Sequence, residues 1–284
     1  MHTTYIFGDI EGNITLFEST INTIESHPLS RFIFLGDIYD YKNTEISIQH
    51  IQIILTSLGA SLLFPFTSLS TVQDVQQRFK RLFMKKQLYC YKTAHPQYLT
   101  SVPKEPRSIN GKRFIFLFGN KETAFCLDVA YKGTIAKINK HTWSMSVKFK
   151  SSRNKTEEQT YSFNTFELNV MYTYLMLCHN YYIDGHNNLF IHCYLNYKLF
   201  RPLKTHSVVV SGHSKAYGMF RDDEFPETMI YINDLTKLST SSSINNYMTI
   251  RECKFDASYN NWHITPMPNA DTTCKLKIFE SINE

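Results

Sequence analysis

Short runs of apolar, β-forming residues recur along the chain, and five of them stop at glycine or at a residue able to bind a metal. They are YIFGDIEGN (Tyr5 to Asn13), FIFLGDIYD (Phe32 to Asp40), FIFLFGNKE (Phe114 to Glu122), LFIHCY (Leu189 to Tyr194) and VVVSGHS (Val208 to Ser214). Continuous apolar runs of this length read as strands buried on both faces, ending in a turn. The ends of such strands are where open α/β sheets carry their chemistry.

Between these runs the period changes to that of helices. Ile14, Phe17, Ile21 and Ile24 predict a helix over 13–26, with Asn13 as its N-cap, between strands at 4–8 and 31–36. That is a strand–helix–strand unit of a parallel sheet. Two more helices are predicted, over 44–58 (Ile46, Ile48, Ile51, Ile54, Leu55) and 71–87. The second sets Val72, Val75, Phe79, Leu82 and Phe83 against Lys80, Arg81, Lys85 and Lys86. Thr93 to Gly111, with Pro96, Pro103 and Pro106, reads as a long loop. Residues 131–156 hold Lys132, Lys137, Lys140, Lys148, Lys150, Arg153 and Lys155 and no acid. Alternation from Trp143 to Phe149 predicts a β-hairpin with one basic face. Further strands are expected at Met229 to Asn233, Tyr247 to Phe255 and Asn260 to Pro266, with a polar loop at Ser239 to Asn246 and a loose tail after Met267.

Composition narrows the class. A chain of 284 residues suffices for one large α/β domain, so we expect a single domain over 1–284 with insertions at 44–112 (helical) and 131–165 (the basic hairpin). Cys90, Cys126, Cys178, Cys193, Cys253 and Cys274 are scattered without a CxxC pair, which excludes a zinc knuckle and a disulfide framework. The first strand begins too early to leave room for a signal peptide, and no apolar stretch is long enough for a membrane span. The expectation is a soluble cytoplasmic protein without a membrane partner. A net charge of +5 is weak support for nucleic-acid binding.

The five motifs, in their order, resemble the calcineurin-like metallophosphoesterase family, which reads GDxHG, GDxxDRG, GNH(D/E), a lone His and then GH. The resemblance covers roughly residues 1 to 235. Three of the motifs depart from it. Glu11 replaces a family His, Tyr41 and Lys42 replace Arg and Gly, and Lys121 replaces the family's catalytic His. The short spacing from His192 to His213 resembles the diadenosine-tetraphosphatase side of the protein-phosphatase branch.

The resemblance implies an α/β fold of two mixed sheets packed as a β-sandwich and flanked by helices, with the last three strands in the second sheet. It implies two divalent metal ions, manganese first, with magnesium, iron or zinc as alternatives. Asp37 would bridge them. Asn120, His192 and His213 would complete one ion's shell, and Asp9 and Glu11 the other's. Asp40 would orient its neighbours. Lys121 would stand at the catalytic position and bind a phosphoryl oxygen, and Tyr41 would lie at a substrate-binding position. Asn233 and Asp234 resemble the strand that closes the site, while His141, His186 and His206 lie in no motif. The implied activity is hydrolysis of a phosphoester or phosphoanhydride in a nucleotide, a dinucleoside polyphosphate or a phosphoprotein. The alternative is a catalytically impaired relative acting as a phosphate- or partner-binding module.

Overall fold

Each apolar run that ends in a candidate ligand forms a strand. The protein is described by a computed structural model covering residues 4–86, 108–109, 112–132, 134–137, 143–150, 158–183, 188–193, 208–213, 218–221, 229–232, 250–256 and 261–266. In chain order the elements are β1 (Thr4–Phe7), α1 (Ile14–Ser26), β2 (Arg31–Phe34), a 3-10 turn (Tyr41–Asn43), α2 (Thr44–Ser57), α3 (Val72–Lys86), β3 (Ser108–Ile109), β4 (Lys112–Leu117), α4 (Asn120–Lys132), β5 (Thr134–Lys137), β6 (Trp143–Lys150), β7 (Glu158–Asn164), α5 (Thr165–Leu177), β8 (Cys178–His179), β9 (Tyr181–Ile183), β10 (Leu189–Cys193), β11 (Val208–Gly212), β12 (Gly218–Arg221), β13 (Met229–Ile232), β14 (Ile250–Asp256) and β15 (Asn261–Pro266).

Two mixed sheets carry the site. In the first, β1, β2 and β4 run parallel, with Phe7 opposite Phe34 and Phe34 opposite Phe116. Their register is held by aromatic neighbours: Phe7–Phe34 at 4.7 Å, Phe34–Phe116 at 4.8 Å and Phe32–Phe114 at 5.1 Å between ring centroids. Each such pair contributes about 0.5–1.5 kcal/mol beyond its buried area. Ile6, Ile33 and Ile115 occupy the alternate positions and are fully buried, so both faces are covered. A one-residue slip would misplace every one of these side chains. In the second sheet β10, β11 and β13 are parallel, with β9 and β12 antiparallel at the edges. A third, antiparallel sheet (β5, β6, β7) lies against α4 and α5.

The α1 and α2 expectations hold to within a residue, and the Asn13 side chain accepts the Leu16 N–H at 3.1 Å as the N-cap. Helices α2 and α3 contribute Ile48, Ile51, Val75 and Phe79 to the same apolar cluster as the central strands. Lys86, at the end of α3, donates to the carbonyls of Met176 and Cys178 at 2.6 and 2.9 Å and satisfies the end of α5.

Four expectations need correction. Strand β2 stops at Phe34 rather than residue 36, because Gly36 turns the chain at φ 108°. The loop expected up to Gly111 contains β3, which pairs back on β4; residues 93–107 lie outside the described residues. The basic hairpin is part of a three-stranded sheet, and the basic run is divided. Lys132 belongs to α4, and Lys137 falls opposite Trp143, out of phase with Lys148. Lys140, Arg153 and Lys155 lie outside the described residues. Finally, only β13 of the three late strands joins the second sheet. β14 pairs antiparallel with β1 and β15 with β14, covering the edge that β1 would otherwise leave open. Asn233, Asp234, His141, His186, His206, the loop 239–246 and the tail after 267 also lie outside the described residues. Among the described residues no helix is long and apolar enough to cross a membrane.

Candidate metal centre

The parallel strands end level, so the turns beyond them meet at one place. The backbone there is bent hard. Among the described residues, the non-glycine residues with left-handed backbone are Glu11 (φ 51°), Asp37 (φ 52°) and His213 (φ 61°). Such a conformation costs about 1–3 kcal/mol per residue and persists where the surroundings over-determine it. All three stand just beyond a strand, at candidate ligand positions. The Asp37 carbonyl fixes the first bend by accepting the N–H groups of Ile10 and Glu11 at 3.1 and 2.9 Å. Gly119 makes the closest approach. A Cβ there would stand 1.9 Å from Asp37 Oδ1, so only glycine lets β4 come this near.

Two groups of ligand atoms result. Those of Asp37, His192 and His213 lie within 4.8 Å of one another, and so do those of Asp9, Glu11 and Asp37. Asp37 belongs to both. His192 sits where the β10–β11 register shifts, an irregularity of the kind that re-aims a side chain. Its Nδ1 lies 2.9 Å from the Leu35 carbonyl, which can only accept, so the ring proton belongs on that nitrogen. Nε2 then turns a lone pair towards Asn120 Oδ1 at 3.1 Å and Asp37 Oδ2 at 3.6 Å. An imidazole nitrogen, an amide oxygen and a carboxylate oxygen meeting this closely are a donor set that fits a cation. Carboxylate, amide and imidazole donors together suit manganese, magnesium, iron or zinc.

Asp9 is fully buried; its Oδ1 accepts the His213 N–H at 3.4 Å and lies 3.8 Å from His192 Nδ1. Asp40 belongs to neither group. It caps the 3-10 turn through Lys42 N–H and faces Lys121 Nζ at 3.2 Å. Lys121 also contacts Glu11 Oε1, and its backbone N–H donates to Asp37 Oδ1 at 3.0 Å. Burial lowers the affinity of Lys121 for its proton, but the charges of Asp37, Glu11 and Asp40 outweigh that, and the ammonium is held above its ordinary value. Tyr41 opens the 3-10 turn and packs, partly buried, against the core. The nine residues singled out in the sequence thus fall at neighbouring strand ends, in the turns beyond them and in the first turn of α4.

Sequence reasoning passed over Glu122, although the GNKE motif contains it. It is fully buried in the first turn of α4, accepting N–H groups from Asp37 (2.9 Å), Tyr39 (3.0 Å) and Gly119 (3.0 Å) and the Tyr174 hydroxyl (3.2 Å). Burial, then the neighbouring charge of Asp37, pushes its carboxyl well up; burial likewise raises Asp37 against the pull of Lys121.

No protein-family model matches the sequence, and no curated protein matches it either. Among solved structures, an archaeal phosphodiesterase aligns with 93% of this chain and 99% of its own length, at 9% identity and a TM-score of 0.41. A likeness that faint carries no weight for function.

Proposed function

We propose that the protein is a divalent-metal-dependent phosphoesterase of the metallophosphoesterase type, its two mixed sheets forming the sandwich of that fold. One observation carries the reading: two ligand groups share the carboxylate of Asp37, and three of their members stand on left-handed backbone. On this reading Asn120, His192, His213 and Asp37 hold an ion on one side, and Asp9 and Glu11 turn carboxylates to the other. A bound divalent ion supplies Lewis acidity, which lowers the pKa of water and draws charge from phosphoryl oxygens.

The chain's own residues do the rest. Buried Glu122 fixes the Asp37 and Gly119 backbones, which keeps the ligands rigid. Lys121 presents a fixed positive charge for a phosphoryl oxygen, and Asp40 holds its direction. An ammonium engaged with two carboxylates is a poor proton donor to a leaving group. Substrates with good leaving groups, phosphoanhydrides and activated esters, are therefore favoured over phosphoserine.

Hydrolysis of an aryl phosphate and of a dinucleoside tetraphosphate, with and without manganese, tests this. Manganese-dependent turnover that falls by about 100-fold or more in Asp37→Asn is expected, a loss of the size seen when a positioned charge is removed. A manganese-loaded chain that turns over neither substrate would instead be a phosphate-binding module.

A further inference from the structure

The acid-lined side of the centre already holds a cation. Lys121 sends its ammonium from the first turn of α4 to Glu11 Oε1 and to Asp40 Oδ1. Glu11 is also the outermost member of the Asp9, Glu11 and Asp37 group, where a second ion would sit. The pair is largely enclosed, the Lys121 and Glu11 side chains being 17% and 14% exposed. A carboxylate accepting from an enclosed ammonium is a weaker donor to a dication, and the ammonium would lie against that dication with little water to screen them. The other side is different in kind. Asn120, His192 and His213 bring neutral donors to it, while the Lys121 ammonium is engaged with Glu11 and Asp40.

We propose that this centre takes one divalent ion, on the Asp37, Asn120, His192 and His213 side, and that the Lys121 ammonium stands in place of the second. The inference rests on the metal-dependent reading above and deepens it. A one-ion centre avoids placing a second dication beside the Lys121 ammonium, which Glu11 and Asp40 already hold. It also accounts for two departures from the family pattern together: Glu11 and Lys121 are each other's partner.

The full-length chain is loaded with manganese, separated from excess metal, and analysed for metal per chain and by electron paramagnetic resonance. The wild type is expected to bind one ion with the signal of an isolated manganese. Lys121→Met, which keeps the length and removes the charge, is expected to bind two, with the signal of an exchange-coupled pair. Two ions in the wild type would overturn the inference and leave the phosphoesterase reading standing. One ion in a Lys121→Met chain with wild-type circular dichroism would overturn the role of the lysine. No ion in the wild type would overturn both readings. If Lys121→Met does not fold, the wild-type count still decides between one ion and two.

Discussion

Glu122 holds the backbone of Asp37 in place: its Oε2 accepts the Asp37 N–H at 2.9 Å, while its Oε1 accepts that of Tyr39 at 3.0 Å. Asp37 keeps its left-handed conformation because both sides of it are tied, by Glu122 at the nitrogen and by the N–H groups of Ile10 and Glu11 at the carbonyl. Glu122→Ala would leave three buried N–H groups without an acceptor. Each such group costs about 1–3 kcal/mol, so a loss of at least about 3 kcal/mol is expected. In thermal unfolding that is a fall on the order of 10 °C for a chain of this size. Glu122→Gln keeps one carbonyl oxygen and should lose less. A melting temperature unchanged in Glu122→Ala would show that these hydrogen bonds do not support the site.

Gly119→Ala is expected to be as damaging, through sterics. The added methyl would meet Asp37 Oδ1 at 1.9 Å and Glu122 Oε2 at 2.5 Å. Neither carboxylate can retreat, since both are buried and hydrogen-bonded to backbone. Either β4 shifts or Asp37 leaves its position. We expect a destabilisation of about 2–4 kcal/mol by overpacking and strain, together with loss of manganese binding. Calorimetry of metal binding on the folded variant checks the second part; retained affinity would mean that Asp37 is not a ligand.

The strands were readable because buried parallel strands are continuous apolar runs, and Phe32 to Leu35 or Val208 to Val210 have no other plausible reading. The candidate ligands were readable as residue types placed after those runs. What decides their arrangement was not. The contact of Lys121 with Glu11 joins residues 110 apart, and that of Glu122 with Tyr39 joins residues 83 apart. Local spacing holds no trace of such pairs. The third sheet and the place of β14 were hidden for a related reason. A strand pattern states that an edge exists, and competition among edges decides which strand covers it.

His50 gives the fold a pH dependence away from the candidate metal centre. It is buried between α1 and α2, stacked on Phe17 at 3.8 Å between centroids, and burial lowers its pKa from 6.5 to about 4. The folded chain therefore disfavours the charged ring. Above pH 6.5 the ring is neutral in both states and has no effect. As pH falls from 6.5 towards 4 the unfolded chain takes up the proton first, so stability drops, and the loss is complete below 4. Each pKa unit is worth about 1.4 kcal/mol, and partial screening of the ring brings the total to about 2–3 kcal/mol. His179, also lowered to about 4 by burial and then by Lys86, acts with the same sign. In urea titrations at pH 7 and pH 4.5, His50→Leu should lose less stability between the two than the wild type does. Equal losses would show that His50 is not the group responsible.

An ion held by the folded chain alone must raise its stability. At a hundredfold excess over its dissociation constant the gain is about 2.7 kcal/mol, or roughly 5–10 °C in melting temperature for a protein of this length. Adding manganese should produce that rise, and a chelator should reverse it. Two variants separate the residues that hold the ion from those that only face it. Asp37→Asn removes the carboxylate common to both ligand groups and should abolish the rise. Asp40→Asn touches a carboxylate that lies in neither group and contacts Lys121, so the rise should remain. A rise lost equally in both variants would place Asp40 among the ligands, and the absence of any rise in the wild type would remove the metal from the reading altogether.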